Sequence, residues 1–222
     1  MILRTQNLGY SYTEHPDDYL FKDVNLSFET GQVYSILGQS GSGKTTFLSL
    51  LAGLDSPKEG AVFLDDVDIS QKGLTHYRQH RVATIFQSYN LLTYMTARQN
   101  VKAALAISGK KSDDQAISEL FKRIGISEDL MDKPVLKLSG GQQQRVAIVR
   151  AIATGHDVII ADEPTGNLDD TTTQDIMSIF KDIAHQQGKI VIIVTHERDV
   201  ADNSDVIYQL KHKTFRPLSK IT

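Results

Sequence analysis

The chain places its most hydrophobic residues in short runs that are separated by polar, glycine-rich segments. Gln32–Leu37 is rich in β-forming residues, and residues 158–161 and 190–194 are wholly apolar. Such runs are too short for typical helices and predict strands of a parallel sheet that is buried on both faces. The polar residues that follow these runs therefore lie at the C-terminal edge of the sheet, where open α/β folds bind ligands.

Further strands are expected at both ends of the chain. The N-terminal stretch to about Phe28 has alternating strand character, and residues 61–64 resemble a hairpin strand. Residues 206–210 form another apolar-rich run. We expect this last run to be an edge strand of the main sheet.

Between about residues 90 and 153 the pattern becomes mainly helical. Thr96 is placed to cap a helix over Ala97–Ile107, and a second helix is expected over residues 115–124. A third helix opens at Ser139. Strands on both sides of a helical insert predict the α/β fold class.

The phosphate-binding pattern G-x-x-x-x-G-K-[ST] is met by Gly38-Gln39-Ser40-Gly41-Ser42-Gly43-Lys44-Thr45, between a strand-like and a helix-like run. Glycines allow the backbone N–H groups to converge on phosphate oxygens, and the following helix adds the positive end of its dipole. Lys44 is expected to reach the β- and γ-phosphates, and the Thr45 hydroxyl to bind Mg²⁺. The candidate nucleotide-binding residues of this segment are Gly38, Ser40, Gly41, Ser42, Gly43, Lys44, Thr45 and Thr46.

Two carboxylates, Asp162 and Glu163, end the apolar run at residues 158–161. If that run is a buried parallel strand, both acids lie at the ligand-binding edge of the sheet. Asp162 is then expected to hold Mg²⁺, directly or through water. Glu163 is expected to polarise the attacking water as a general base.

A second anion site is predicted at Ser139-Gly140-Gly141-Gln142, where a serine and two glycines open a helix. Helix-end N–H groups and a serine hydroxyl are presented there without side-chain bulk. One chain does not need two such sites for one triphosphate. Two copies arranged head to tail do, because each offers this helix end to the nucleotide held by the other copy's Lys44 loop.

Composition restricts the function classes. The chain has 222 residues, a formal net charge of −3 and no cysteine, so we expect a reducing compartment. No basic run is present, which argues against nucleic-acid binding. No apolar stretch approaches the roughly 18 to 20 residues of a membrane span, and the N-terminal residues lack a signal-peptide core. We expect a protein that is soluble by itself and reaches a membrane only through a partner.

Together the motifs resemble those of the ATP-binding cassette (ABC) ATPases, over residues 2 to about 210. Leu138-Ser139-Gly140-Gly141-Gln142 resembles the signature sequence of that family, and Asp162 with Glu163 closes its second phosphate motif. Asn167-Leu168-Asp169 resembles the D-loop. The resemblance therefore implies a role in ATP binding or hydrolysis for each motif found above.

Three more residues gain roles from this resemblance. Tyr12 resembles the aromatic residue that stacks on adenine, with Tyr10 as a rival two positions away on the same face of a strand. Gln87 resembles the glutamine that links Mg²⁺ and the attacking water to the transmembrane partner. His196, at the end of a predicted strand, resembles the switch histidine. The implied catalytic residues are Glu163, His196 and Gln87, and the implied metal ligands are Thr45, Gln87 and Asp162.

The resemblance also implies an architecture for the chain. We expect a single ABC ATPase domain over residues 1–222, with the P-loop NTPase fold and a RecA-like core. Residues 1–89 and 154–222 are expected to form this core together with an N-terminal antiparallel β-subdomain. Residues 90–153 are expected to form an α-helical subdomain.

Two classes of function fit an ABC ATPase of this size. The first is the ATPase subunit of a membrane transporter, and the second is a soluble ABC ATPase, for example one of iron–sulfur cluster assembly. Residues 86–93 and 138–147 resemble the macrolide-exporter, lipoprotein-release and antimicrobial-peptide-resistance group. About 26 residues follow His196, so we expect no C-terminal regulatory domain of the kind found in many import ATPases. This expectation favours export or extrusion over import.

The transporter interpretation implies partners and a location. We expect ATP and Mg²⁺ as cofactors, a homodimer of ATPase subunits, and an integral membrane permease that contacts the helical subdomain and the Gln87 region. A periplasmic or extracellular adaptor is a further candidate partner, and nucleic acid is not expected. The location that follows is the cytoplasmic face of the cell membrane, reached through the permease.

Overall fold

The computed structural model describes residues 1–13, 15, 18–166 and 168–219. The described strands are β1 Ile2–Ser11, β2 Tyr19–Val24, β3 Ser27–Glu29, β4 Gln32–Leu37, β5 Glu59–Leu64, β6 Val67–Asp68, β7 Val82–Ile85, β8 Val158–Asp162, β9 Ile190–Thr195, β10 Val206–Lys211 and β11 Thr214–Leu218. The described helices are α1 Lys44–Leu51, α2 Leu74–His80, α3 Ala97–Ile107, α4 Asp114–Arg123, α5 Glu128–Met131, α6 Gly140–Ala153, α7 Asp170–Gln187 and α8 Arg198–Asp202. None of these helices has the length and hydrophobicity of a membrane span.

The central sheet has six strands in the order β11-β10-β4-β9-β8-β7. All neighbours pair in parallel except β10 and β11, which form an antiparallel hairpin. The middle strands are buried on both faces: Ile190, Ile192 and Val194 of β9 belong to one hydrophobic cluster, and Val191 and Ile193 belong to the other. This double burial explains why β8 and β9 are wholly or almost wholly apolar in sequence.

The register of this sheet brings the predicted site residues together. Leu37, the last residue of β4, pairs with Thr195 at the end of β9. Asp162, the last residue of β8, pairs with Val194. The phosphate loop, the two acids and His196 therefore leave the sheet at one edge, as the sequence predicts.

A second, antiparallel sheet lies at the N-terminal side of the chain. Its order is β2-β1-β5-β6, and β3 also pairs with β1. Leu3, Phe28 and Leu64 from this sheet pack in one hydrophobic cluster with Phe47 and Leu48 of α1. This sheet matches the expected antiparallel β-subdomain and supports the helix that follows the phosphate loop.

Helices α3 to α6 form a group that we call the helical lobe, and they lie between β7 and β8 in the chain. α3 and α4 both pack on α6. The predicted cap of α3 is confirmed, because the Thr96 hydroxyl accepts from Gln99 N–H and the Gln99 side chain accepts from Thr96 N–H. The helix predicted over residues 115–124 begins one residue earlier, since the Asp113 side chain caps it.

One strand prediction is wrong in its position. Residues 206–210 do form a strand, but β10 lies between β4 and β11 and is not at the edge. The edge is β11, which the apolar pattern missed because its side chains are exposed or only partly buried. The other edge, β7, is only four residues long.

Candidate active site

Most of the residues predicted to bind and cleave a nucleotide, though not Ser42 or the signature residues 139–142, line one cavity of about 790 Å³ at the C-terminal edge of the six-stranded sheet. It is lined by Tyr12, the phosphate loop, Gln87, the two acids and His196. These five separate segments of the chain supply walls of the cavity. Their distance in sequence shows that the fold, and not local sequence, creates this cavity.

The phosphate loop is held in a shape that only glycine permits at some positions. A Cβ at Gly38 would lie 2.8 Å from Leu210 O and 2.9 Å from Ser42 Oγ. Gly43, the residue before α1, has φ +101°, a conformation unfavourable for other residues. Because Gly43 turns the chain there, α1 begins at Lys44, inside the motif.

Lys44 lies under the loop with little exposure. Its Nζ donates to Gly38 O at 2.8 Å and to Gln39 O at 3.0 Å. Burial lowers the pKa of Lys44, and the nearby carboxylates of Glu163 and Asp162 oppose this shift. The ammonium group is therefore hydrogen-bonded to carbonyl oxygens of the loop and lies close to two acids.

Thr45 and Asp162 meet as predicted. Thr45 Oγ1 donates to Asp162 Oδ2 at 3.0 Å. Burial raises the pKa of Asp162, while the hydrogen bond from Thr45 favours its charged form. A hydroxyl beside a carboxylate is an oxygen pair of the kind that Mg²⁺ selects.

Glu163 follows β8 in a left-handed conformation, with φ +48°. Its N–H donates to Val194 O at 2.9 Å, which fixes the backbone against β9. Its Oε1 lies 2.8 Å from Nδ1 of His196, and Thr195 Oγ1 donates to Oε2 at 3.3 Å. The turn in the backbone directs this carboxylate toward His196 and into the cavity.

Tyr12 and Tyr10, the two candidates for stacking on adenine, differ in exposure and in contacts. Tyr10 is buried, and its hydroxyl donates to Asp55 Oδ2 at 2.6 Å, a bond that raises its pKa to about 12. Tyr12 lies just beyond β1, has 71% of its surface exposed and lines the cavity. Its hydroxyl oxygen is 2.6 Å from Oγ1 of Thr46. The two rings touch edge to face, and only Tyr12 offers a free ring surface to a ligand.

The signature residues lie elsewhere. None of Ser139, Gly140, Gly141 and Gln142 is among the residues lining the cavity. Ser139 and Gln142 instead form a reciprocal cap at the start of α6: Gln142 N–H donates to Ser139 Oγ at 3.3 Å, and Ser139 N–H donates to Gln142 Oε1 at 2.9 Å. Ser139 and Gly140 are exposed. Within one chain they are separate from the phosphate loop.

Two features of the phosphate loop fit a bound triphosphate. Ser42 Oγ is buried and has no hydrogen-bond partner within the described residues. The loop closes around a space in which a side chain at Gly38 would clash. A polar cradle with a buried hydroxyl, an ammonium and an adjacent hydroxyl–carboxylate pair has the donors and acceptors that such a ligand requires.

Sequence reasoning missed several residues at this site. Leu20, Arg198 and Gln209 also line the cavity. Glu197, next to His196, has a carboxylate oxygen close to the ligand-type atoms of Glu163 and His196. None of these positions belongs to a motif, so only adjacency to His196 could have indicated two of them.

The D-loop resemblance lies partly outside the described residues, because Asn167 is not described. Asp169 caps α7 by accepting from Thr172 N–H at 3.0 Å. This hydrogen bond lowers the pKa of Asp169. Asp169 is therefore the N-cap residue of α7.

Comparison with known proteins finds similar sequences and folds. The profile of the ABC transporter family matches residues 21–166. The uncharacterised ABC transporter ATP-binding protein YclH of Bacillus subtilis is 47% identical, over 96% of this chain and 95% of that protein. The lipoprotein-releasing system ATP-binding protein LolD of Francisella tularensis is 37% identical, over 95% of this chain and 94% of that one.

Two further similarities extend this result. The macrolide export ATP-binding/permease protein MacB of Shewanella oneidensis is 42% identical over 86% of this chain, which corresponds to 30% of MacB. The solved dimer of the cassette MJ0796 of Methanocaldococcus jannaschii, bound to ADP and Pi, superposes with a TM-score of 0.89. It is 33% identical and covers 99% of both chains.

Proposed function

Because this chain belongs to the ABC transporter family and is an ATP-binding cassette that hydrolyses ATP, we propose that it drives export or extrusion of a substrate through a membrane permease. The ATPase part of this proposal rests on Lys44, Thr45, Asp162, Glu163 and His196, which meet in one cavity at the edge of the sheet. The similarity to MacB and LolD supports the direction of transport. No feature of the described site favours cluster assembly or import.

The cavity residues divide the binding of ATP between them. The loop N–H groups and Lys44 hold the β- and γ-phosphates, and Tyr12 stacks on the base. Thr45, Asp162 and Gln87, which all line the cavity, would hold Mg²⁺. The ion, when bound, neutralises charge that develops on the phosphate oxygens.

Hydrolysis follows from the position of Glu163. Its carboxylate orients a water molecule and accepts a proton as the water oxygen bonds to the γ-phosphorus. The bond from that phosphorus to the β–γ bridging oxygen breaks, which yields ADP and phosphate. His196, 2.8 Å from Glu163 in the structure, is placed to hold this carboxylate and to contact the γ-phosphate.

We further propose that the second chain of a homodimer completes each site. The exposed N-terminus of α6 carries Ser139, Gly140, Gly141 and Gln142 outside the cavity of its own chain, as a head-to-tail arrangement requires. The MJ0796 cassette is a dimer in its structure bound to ADP and Pi. Shared sites place hydrolysis under the control of dimer formation.

The permease is proposed to bind in a groove between the core and the helical lobe. This cavity, of about 300 Å³, is lined by Arg78 and Thr84 from the core and by Leu92 and Ile107 from the lobe side. Leu92 and Ile107 are exposed apolar residues, and Leu92 lies on the loop that follows Gln87. A short helix from a cytoplasmic permease loop can place apolar side chains of one face in this groove, next to the loop that follows Gln87. Such binding holds the chain at the cytoplasmic face of the membrane.

Substitution in the groove tests the partnership. Ile107→Lys is expected to abolish copurification with the permease and to leave the ATPase activity of the isolated chain unchanged, because 66% of the Ile107 surface is exposed. Val67→Lys is the matched control, since Val67 is exposed on the β6 hairpin, far from the groove in the chain. Normal copurification of the Ile107 variant would contradict this docking site.

Stacking on Tyr12 is tested by binding. Tyr12→Ala is expected to raise the Kd for ATP about five- to a hundredfold, since stacking of a base on an aromatic ring contributes about 1–3 kcal/mol. Tyr12→Phe keeps the ring and loses only the contact with Thr46, so it should bind within about threefold of the unmodified protein. Fluorescence titration with a nucleotide analogue measures both. If both variants weakened ATP binding equally, Tyr12 would not be the residue that stacks on adenine.

A further inference from the structure

Arg150 is a partly buried arginine of α6 that the proposed catalytic steps do not use. Its Nη1 donates to Asn90 O at 2.5 Å and its Nη2 donates to Tyr89 O at 2.8 Å. The acceptors belong to consecutive residues of the loop that follows Gln87. Burial lowers the pKa of Arg150, yet a guanidinium keeps its charge near neutral pH. Because two nitrogens of this partly buried guanidinium donate to two carbonyl oxygens, the side chain and the loop are held in a fixed relative position.

The loop held by Arg150 has an unfavourable backbone conformation. Tyr89 and Asn90 are both left-handed, with φ +61° and +48°. Residues other than glycine adopt this conformation only when their surroundings hold them in it. Besides Arg150, the supports are a hydrogen bond from Tyr89 N–H to Phe86 O at 3.0 Å and one from Ser88 Oγ to Asn90 Oδ1 at 3.1 Å.

Tyr89 also reaches the opposite end of α6. A Cβ on Gly140 would lie 3.2 Å from the Tyr89 hydroxyl oxygen. Residues 140 and 150 are about 15 Å apart along the helix. The Arg150 side chain and Tyr89 together bridge this distance, from residue 150 to the start of the signature helix, where Ser139 is exposed.

The far side of the loop is fixed to the helical lobe as well. Leu92 N–H donates to Asn100 Oδ1 at 2.7 Å, and Asn100 Nδ2 donates to Leu92 O at 3.2 Å. Asn100 is a buried residue of α3. Ile85, in contrast, is the last residue of β7 and belongs to the central sheet. Gln87 thus lies in the short stretch between a part fixed to the sheet and a part fixed to the lobe.

We propose that Arg150 is a positioning residue that makes residues 89–92 move together with α6. When Gln87 moves toward the nucleotide of its own phosphate loop, the clamp transmits that movement to Ser139. Ser139 contacts the nucleotide of the partner chain, so Arg150 links the two ATP sites of the dimer. This inference rests on the roles proposed above for Gln87 and Ser139.

Arg150→Lys tests the clamp, because lysine keeps the charge and loses the two-pronged geometry. We expect kcat to fall about tenfold, with an unchanged Kd for ATP in the monomer. In a Glu163→Gln background, we expect dimer formation to need about tenfold more ATP. Arg145→Lys is the matched control on the same helix, where the guanidinium donates to Gly125 O and Thr172 Oγ1 at 3.3 Å. Its kcat should change less than about twofold.

A rescue separates positioning from simple loss of structure. Adding Asn90→Gly to Arg150→Lys lowers the cost of the left-handed conformation, so kcat should recover about two- to fivefold over Arg150→Lys alone. Melting temperatures of all variants are measured in parallel. Wild-type kcat in Arg150→Lys overturns the inference. So does a loss of kcat that follows the melting temperature and is not recovered by glycine.

The failure of this inference can be told apart from the failure of the proposed function. If Glu163→Gln retains normal turnover, the proposed catalytic site is wrong, whatever Arg150→Lys does. If Glu163→Gln is inactive and Arg150→Lys has normal kcat and normal ATP-driven dimer formation, only the role of Arg150 is wrong.

Discussion

Glu163→Gln should bind ATP normally and lose about a hundred- to ten-thousandfold of its turnover. Glutamine has nearly the same shape as glutamate and cannot accept the proton of the attacking water. The phosphate loop is unchanged by this substitution, so ATP still enters. Because hydrolysis no longer separates the chains, the variant should accumulate as an ATP-bound dimer, measured by size-exclusion chromatography with and without ATP.

Glu197→Gln is the control for this experiment. Glu197 is the other glutamate near His196, and its carboxylate oxygen lies within 4.8 Å of the ligand-type atoms of Glu163 and His196. It receives no part in the proposed reaction, so turnover should stay within about threefold of the unmodified protein. Near-normal turnover in Glu163→Gln would exclude Glu163 as the general base.

Gly140→Asp should abolish hydrolysis and ATP-driven dimer formation while the isolated chain still binds ATP. The aspartate places a negative charge at the helix end that is proposed to face the partner's triphosphate, where like charges repel. The Lys44 loop is not altered, so monomer binding is retained. Gly140→Asn has the same size without the charge and should be clearly less impaired. Activity of the unmodified chain should also rise more than linearly with its concentration.

Mixing two inactive variants gives the sharpest form of this test. Lys44→Ala removes the phosphate-binding ammonium and should be inactive by itself. In a heterodimer with Gly140→Asp, one site carries both lesions and the other combines an intact phosphate loop with an intact signature. An equal mixture should recover up to about a quarter of normal activity. Loss of ATP binding in the isolated Gly140→Asp chain would refute the role in trans.

The sequence predicted the features that depend on local chemistry. The phosphate loop, Asp162 and the start of a helix at Ser139 follow from motifs whose residue types are dictated by one turn of backbone. The buried strands were visible because burial on both faces removes polar residues from β8 and β9. The resemblance to a family supplied Tyr12, Gln87 and His196, and the structure places all three around one cavity.

The remaining features depend on packing between distant segments. Arg150 appears in sequence as one of several basic residues, and nothing marks its contact with Tyr89 O and Asn90 O across sixty residues. The left-handed backbone of Glu163 likewise depends on a bond to Val194 in another strand. β11 was missed because an edge hairpin with exposed side chains lacks the apolar signal.

The hydrogen bonds between Lys44 and its own loop affect how a nucleotide binds. Its ammonium already has two carbonyl partners, Gly38 O and Gln39 O, so the cradle keeps its form before a phosphate arrives. Binding of ATP is then an exchange of hydrogen-bond acceptors, in which phosphate oxygens replace carbonyl oxygens around the Lys44 ammonium. The contribution of Lys44 to the binding free energy is then the difference between two sets of hydrogen-bond acceptors.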